Sequence, residues 1–138
     1  MADFTIYPCG RSRYVAALQA ARDQSGPIRR ATSPIEEMPT DADYFLSLDG
    51  KSGYGVTMNG ELVGLFSLVP GRGKDMVQEA IDMDGARRLD CFDGFLPEYY
   101  KQFGFVEYMR EANWTPGGPD VVYMELHSEG SPLAGDAS

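Results

Sequence analysis

The sequence predicts an α/β (α+β) fold, a mixed sheet of six to seven strands with about four helices. Three observations carry this. Residues 62–69 are an apolar run, Pro70-Gly71-Arg72-Gly73 is a tight turn, 74–84 is amphipathic, and 87–92 is a second short strand. Strand, helix, strand is the pattern of a crossover unit joining parallel strands. Asn59-Gly60, between two β-rich runs, is a strong hairpin signal. Finally, 138 residues with 43% hydrophobic content suffice for one core and not for two.

The elements follow in order. Residues 4–7 are apolar and β-rich, a first strand ended by Pro8 and Gly10. Residues 11–23 place Tyr14, Leu18 and Ala21 at helical spacing, and Ser25-Gly26-Pro27 stops that helix. Residues 28–40 have no clear period and read as a loop with one short helical turn. Residues 41–48 read as a short helix, capped by Thr40 or Asp41, with Tyr44, Phe45 and Leu48 on its apolar face. Tyr54, Val56 and Met58 alternate with Gly55 and Thr57, a half-buried strand. The next strand, 61–69, is apolar on both sides, with Leu62, Phe66 and Leu68 on one face and Val63, Leu65 and Val69 on the other. It reads as a central strand covered on both faces. Met76, Val77, Ala80 and Ile81 form one helical stripe, and Gly85 suits its C-terminal cap. Pro97 suits the first turn of a helix that runs to Gln102 and stops at Gly104. Residues 105–110 and 121–126 are the closing strands. Residues 1–127 read as one domain and 128–138 as a disordered tail.

The formal net charge is −9. That acidity argues against a nucleic-acid partner and suits an amine substrate. Cys9, Cys91 and the single His127 form no metal motif, so no metal is expected. Two isolated thiols, no membrane-length apolar run and no signal-like start lead to the expectation of a cytoplasmic chain without a membrane partner. A homodimer is compatible with the sequence.

The turn at 70–73 presents backbone N–H groups at the start of a helix, a ready anion site. Several residues around it carry a resemblance. Leu65-Phe66-Ser67-Leu68-Val69-Pro70 looks like a fourth strand, and Gly71-Arg72-Gly73-Lys74 like a pyrophosphate loop. Tyr100-Lys101-Gln102-Phe103-Gly104-Phe105 looks like a Y-K-x-x-G-F motif, and Val121-Val122-Tyr123-Met124-Glu125-Leu126 like a last strand. Together they resemble the GNAT superfamily of acyl-CoA-dependent N-acetyltransferases, in particular its small bacterial and phage-type members. The resemblance covers 54–126 well and the N-terminal third by element order alone.

What the resemblance implies is specific. The fourth and fifth strands, near Val69 and Leu89, are expected as parallel strands that splay apart to admit acetyl-CoA, the co-substrate. Leu68, Val69, Arg72, Gly73, Lys74 and Asp75 are expected to hold it, with Asp93 where many members carry an Asn that begins the last helix. Tyr100 is expected to protonate the leaving thiolate, and an N–H near Val69 to steady the oxyanion. The acceptor is expected to be a primary amine of a small molecule or protein. The acidic residues Glu36 and Glu37 of the irregular segment are candidates to meet that amine. The loop departs from the family pattern Arg/Gln-x-x-Gly-x-Gly/Ala: with Arg72 first, Asp75 and Val77 stand at the glycine positions, and with Gly71 and Gly73 as the loop glycines the turn is shortened. That departure favours an alternative, a catalytically weak or inactive GNAT-like module that binds a protein partner.

Overall fold

In a computed structural model the described residues are 5–126. The expected disordered tail, 128–138, lies outside them, as does His127. The chain divides into two compact units, Met1–Ala86 and Arg87–Ser138. Its seven described strands hydrogen-bond as two sheets in which every ladder is antiparallel.

The first unit contains β1 (Ile6–Cys9), α1 (Arg11–Gln24), α2 (Gly26–Ala31), a 3₁₀ turn (Ile35–Glu37), β2 (Ala42–Ser47), β3 (Ser52–Thr57), β4 (Leu62–Ser67) and α3 (Gly73–Asp84). Its sheet runs β1-β2-β3-β4. α1 forms where the apolar spacing demands it, burying Tyr14, Leu18 and Ala21. They join Met38, Tyr44, Leu46 and Phe66 in one core, where the Tyr14 and Tyr44 rings stack 4.5 Å apart. α3 buries Met76, Val77 and Ala80 and packs on β3 and β4; Gly85 closes it in the left-handed region.

The structure corrects the sequence expectations at β1, β2 and β4. Residues 42–47 are strand β2 and not a helix. The period is two: Tyr44 and Leu46 enter the core beside Tyr14, while Phe45 stacks on Tyr54 at 5.0 Å. The first strand continues through Pro8, which pairs with Phe45. β1 ends the sheet, so the missing proline N–H can face away from the ladder at no cost.

β4 is the end strand of its sheet, not a central one. Its faces are also not those of simple alternation. The register with β3 shifts between Gly53 and Gly55, and Gly64 has φ +60°. After this bulge Val63 and Phe66 both pack toward the Tyr14 core, whereas Leu62 pairs with Val56. The displaced Gly64 carbonyl accepts a hydrogen bond from the Tyr14 hydroxyl.

The second unit contains β5 (Arg88–Phe92), α4 (Phe95–Lys101), β6 (Phe105–Glu111) and β7 (Val121–Leu126), in the sheet order β5-β7-β6. One face carries the apolar set Leu89, Phe105, Val122, Met124 and Leu126, all buried. α4 packs on β5 and β6, and Tyr100 meets Phe105 edge to face with ring centroids 6.0 Å apart. Among the described residues no helix is long and apolar enough to cross a membrane.

Candidate functional site

The turn after β4 brings six of the expected residues into one short stretch. Leu68 and Val69 leave the strand, Gly71 turns the chain at φ +89°, and Arg72 is the residue at which α3 begins. No side chain caps α3. The N–H groups of Gly73, Lys74 and Asp75 therefore precede the first intrahelical bond, made by Met76 N–H to the Arg72 carbonyl at 3.1 Å. They are the candidate backbone anion site, with the helix dipole behind it. Lys74 and Asp75 are exposed beside it. Val77 is fully buried in the core and does not obstruct the turn.

The side chains of this turn are committed to the protein itself. Arg72 makes a two-point pair with Asp49, Nη1 to Oδ1 at 3.1 Å and Nη2 to Oδ2 at 2.9 Å. Its Nη1 also donates to Ser52 Oγ at 3.0 Å. The hydrogen bond from Arg72, helped by those from Ser47 Oγ and the Lys51 N–H, holds the Asp49 carboxyl well below the usual carboxylate range. Ser52 Oγ lies 2.9 Å from Ser67 Oγ. Ser67 Oγ donates to the Val69 carbonyl at 2.6 Å and accepts the Val69 N–H at 3.0 Å. The Leu68 N–H donates to the Lys51 carbonyl at 2.8 Å. The amide expected to steady an oxyanion near Val69 thus already has a partner.

Glu36 and Glu37 belong to the same unit and are exposed on the 3₁₀ turn. That segment is pinned to the protein. Arg11 donates to the carbonyls of Ile35 and Met38, Arg22 to Thr32, and Tyr44 to the Pro39 carbonyl. The two carboxylates are therefore presented on a held backbone.

Tyr100 and Asp93 belong to the second unit. Tyr100 is buried on α4 with Tyr99 and Phe105 against its ring. Burial, then the neighbouring Cys91 and Tyr99, push its phenol far above the ordinary value, so it keeps its proton at any working pH. Cys91 is pushed up to about 12 by burial, with Asp90, Asp93 and Glu107 adding to the effect; it is a neutral thiol and no nucleophile. Asp93 sits just before α4. It accepts the Gly94 N–H at 2.9 Å and an Arg110 N–H at 2.8 Å, and these hydrogen bonds, the one from Arg110 first, lower its pKa. Arg110 also grips Glu107 through two N–H bonds of 2.9 Å. Among the described residues no three His, Cys, Asp or Glu side chains are grouped to hold a metal.

No protein-family model matches the chain, and no curated protein matches it. Among solved structures, the crystal structure of N-acetylglutamate synthase from Neisseria gonorrhoeae, complexed with coenzyme A and L-arginine, is similar in fold. The likeness covers 93% of this chain at TM-score 0.54 and 16% sequence identity. The fold is GNAT-like. The chain spans about a third of that neighbour, 34% of its length.

Within this GNAT-like fold, the residues that sequence reasoning missed are Asp49, Ser52 and Ser67, which fix the turn, and Gly64, which bends the strand leading to it. Gly64 carried a readable signal, a lone glycine inside an apolar strand. The serines carried none, because each alone reads as an ordinary polar strand-end residue.

Proposed function

We propose that this chain is an N-acetyltransferase that moves an acetyl group from acetyl-CoA to a primary amine of a small molecule or protein. One observation carries the reading: an uncapped α3 N-terminus directly follows β4 in a fold similar to that of a protein crystallised with coenzyme A. The reading treats the two units as one catalytic domain, 1–127. The amides of Gly73, Lys74 and Asp75 would hold the pyrophosphate, and the backbone at Leu68 and Val69 the pantetheine arm. Val69 N–H would exchange its Ser67 partner for the substrate carbonyl. The free amine attacks the thioester carbon and sheds a proton to water, and the C–S bond breaks. The leaving sulfur would depart as a thiolate that accepts a hydrogen bond from the Tyr100 hydroxyl and takes its proton from solvent. Because the Tyr100 phenol is a weak acid, its main contribution is a hydrogen bond to the developing thiolate. Asp93 with Arg110 would set the start of α4 and thereby the position of Tyr100. Glu36 and Glu37 would attract the amine, and the acidic surface is compatible with a cationic one.

A second reading, a GNAT-like module without catalysis that binds a protein partner, is favoured by the turn's internal pairing: Arg72 is bound to Asp49, and the Val69 N–H to Ser67. Calorimetric titration with acetyl-CoA separates the two. The transferase reading expects saturable binding, and no heat at millimolar cofactor would overturn it. Given binding, Tyr100→Phe is expected to lower kcat by about 10²-fold with Kd for acetyl-CoA unchanged. Unchanged kcat would remove Tyr100 from the chemistry.

A further inference from the structure

The contacts among Asp49, Arg72, Ser52, Ser67 and Val69 have a fixed direction. Arg72 can only donate, so Ser52 Oγ accepts from it and has its own proton left to give to Ser67 Oγ. Ser67 in turn gives its proton to the Val69 carbonyl and accepts from both Ser52 and the Val69 N–H. Every donor and acceptor site of Ser67 is then used. The chain of bonds begins at the residue that opens α3 and ends at Val69, just after β4, so it ties together the two pieces of backbone that flank the candidate anion site. The Arg72 side chain is only 15% exposed, and both of its terminal nitrogens face this network. Swinging the guanidinium to a phosphate would break a two-point ion pair and one further hydrogen bond. It would also leave Asp49 as an unbalanced carboxylate near a polyanion.

We propose that Asp49, Arg72, Ser52 and Ser67 form a positioning relay. It sets the α3 N-terminus against the end of β4, and Arg72 serves ligand binding through the backbone it fixes, not through its charge on a phosphate. The functional half of this inference rests on the acyl-CoA reading; the structural half does not.

The two roles of Arg72 predict opposite signs for Asp49→Asn. If Arg72 were a phosphate ligand held back by Asp49, the variant would free a cation, remove an anion and tighten coenzyme A binding. The relay expects binding weaker by about tenfold, and a smaller loss in the same direction for Ser52→Ala, which changes no charge. The experiment measures Kd for coenzyme A by calorimetry and amide hydrogen exchange by NMR on the full chain. In both variants exchange at Leu68, Val69 and Met76, none of them mutated, should speed up by about tenfold, while Leu18 in α1 stays slow. Tyr54→Phe, which loses a hydrogen bond to Asp84 elsewhere in the unit, is the stability control and should leave Kd unaltered. Tighter binding in Asp49→Asn, or unchanged exchange at those three amides, overturns the relay. If the unmutated protein binds no coenzyme A, the acyl-CoA reading falls, and the exchange arm alone decides the relay.

Discussion

The bulge in β4 can be tested through one residue. Gly64→Ala asks for an L side chain at φ +60°, which costs about 1–2 kcal/mol by itself. The new Cβ would lie 2.0 Å from the Tyr14 hydroxyl oxygen and 3.1 Å from the Met38 sulfur. Tyr14 is fully buried and cannot swing to solvent. Moving it separates its hydroxyl from the Gly64 carbonyl, about 1–3 kcal/mol for buried groups left unpaired. It also disturbs the ring stack on Tyr44, about 0.5–1.5 kcal/mol. The expected loss is about 3–5 kcal/mol, a large share of the stability of a small protein. Urea denaturation followed by circular dichroism measures it, and Tyr14→Phe supplies the cycle. Alone, Tyr14→Phe should cost about 1–2 kcal/mol. In that background the nearest remaining ring atom is 3.2 Å from the new Cβ, so Gly64→Ala should cost about 2 kcal/mol less than in the parent. Additive effects, or a Gly64→Ala loss below about 1 kcal/mol, would refute the coupling of strand bulge to core tyrosine.

Three further outcomes are expected. Burial, then mutual repulsion with Asp84, raises the Glu79 pKa, so the folded protein binds that proton more readily than the unfolded chain, and the residue's ionisation opposes folding as pH rises through the folded value. Glu79→Gln should therefore raise Tm near pH 8, with the gain fading as pH falls through the carboxylate range; a gain that grows on acidification would contradict this. Arg110→Gln should return the lowered pKa values of Asp93 and Glu107 toward ordinary, as read by NMR titration of their side-chain carboxyl carbons. Cys91, with its thiol near 12, should resist iodoacetamide at pH 8 in the native protein and react at once in denaturant, a contrast that mass spectrometry can follow.

The parts of the fold that depend on neighbours in sequence were legible. Tyr14, Leu18 and Ala21 recur at helical spacing, Asn59-Gly60 marks its hairpin, and 121–126 is a short apolar run rich in β-formers, so α1, the β3–β4 turn and β7 stand where expected. β2 was not legible, because Tyr44, Phe45 and Leu46 are all apolar and conceal a period of two. Its state is set by pairing with β1 on one side and β3 on the other, which no local pattern encodes. The candidate site divides the same way. The stretch from Leu68 to Asp75 could be picked out because glycines and a helix start are local features. The commitments of its side chains could not be, since Asp49, Ser52, Ser67 and Arg72 come together only through the β2–β3 turn and the end of β4.

These commitments decide what kind of force could hold a coenzyme. The protein carries a net charge of −9, Arg72 is neutralised by Asp49, and Asp75 stands exposed in the first turn of α3. Long-range electrostatics therefore oppose a polyanion, and the attraction has to come from backbone N–H groups and the helix dipole at contact distance. Salt screens the first effect over about 8–10 Å and touches the second far less. Raising sodium chloride from about 50 to 300 mM should leave the coenzyme A Kd flat or tighten it, because repulsion is screened while the amide contacts persist. A protein that grips phosphate through free arginine and lysine side chains behaves the other way. Binding that weakens steeply with salt would mean that Lys74, or an Arg72 released from Asp49 on ligand entry, grips the phosphates, and the backbone account of the site would be wrong.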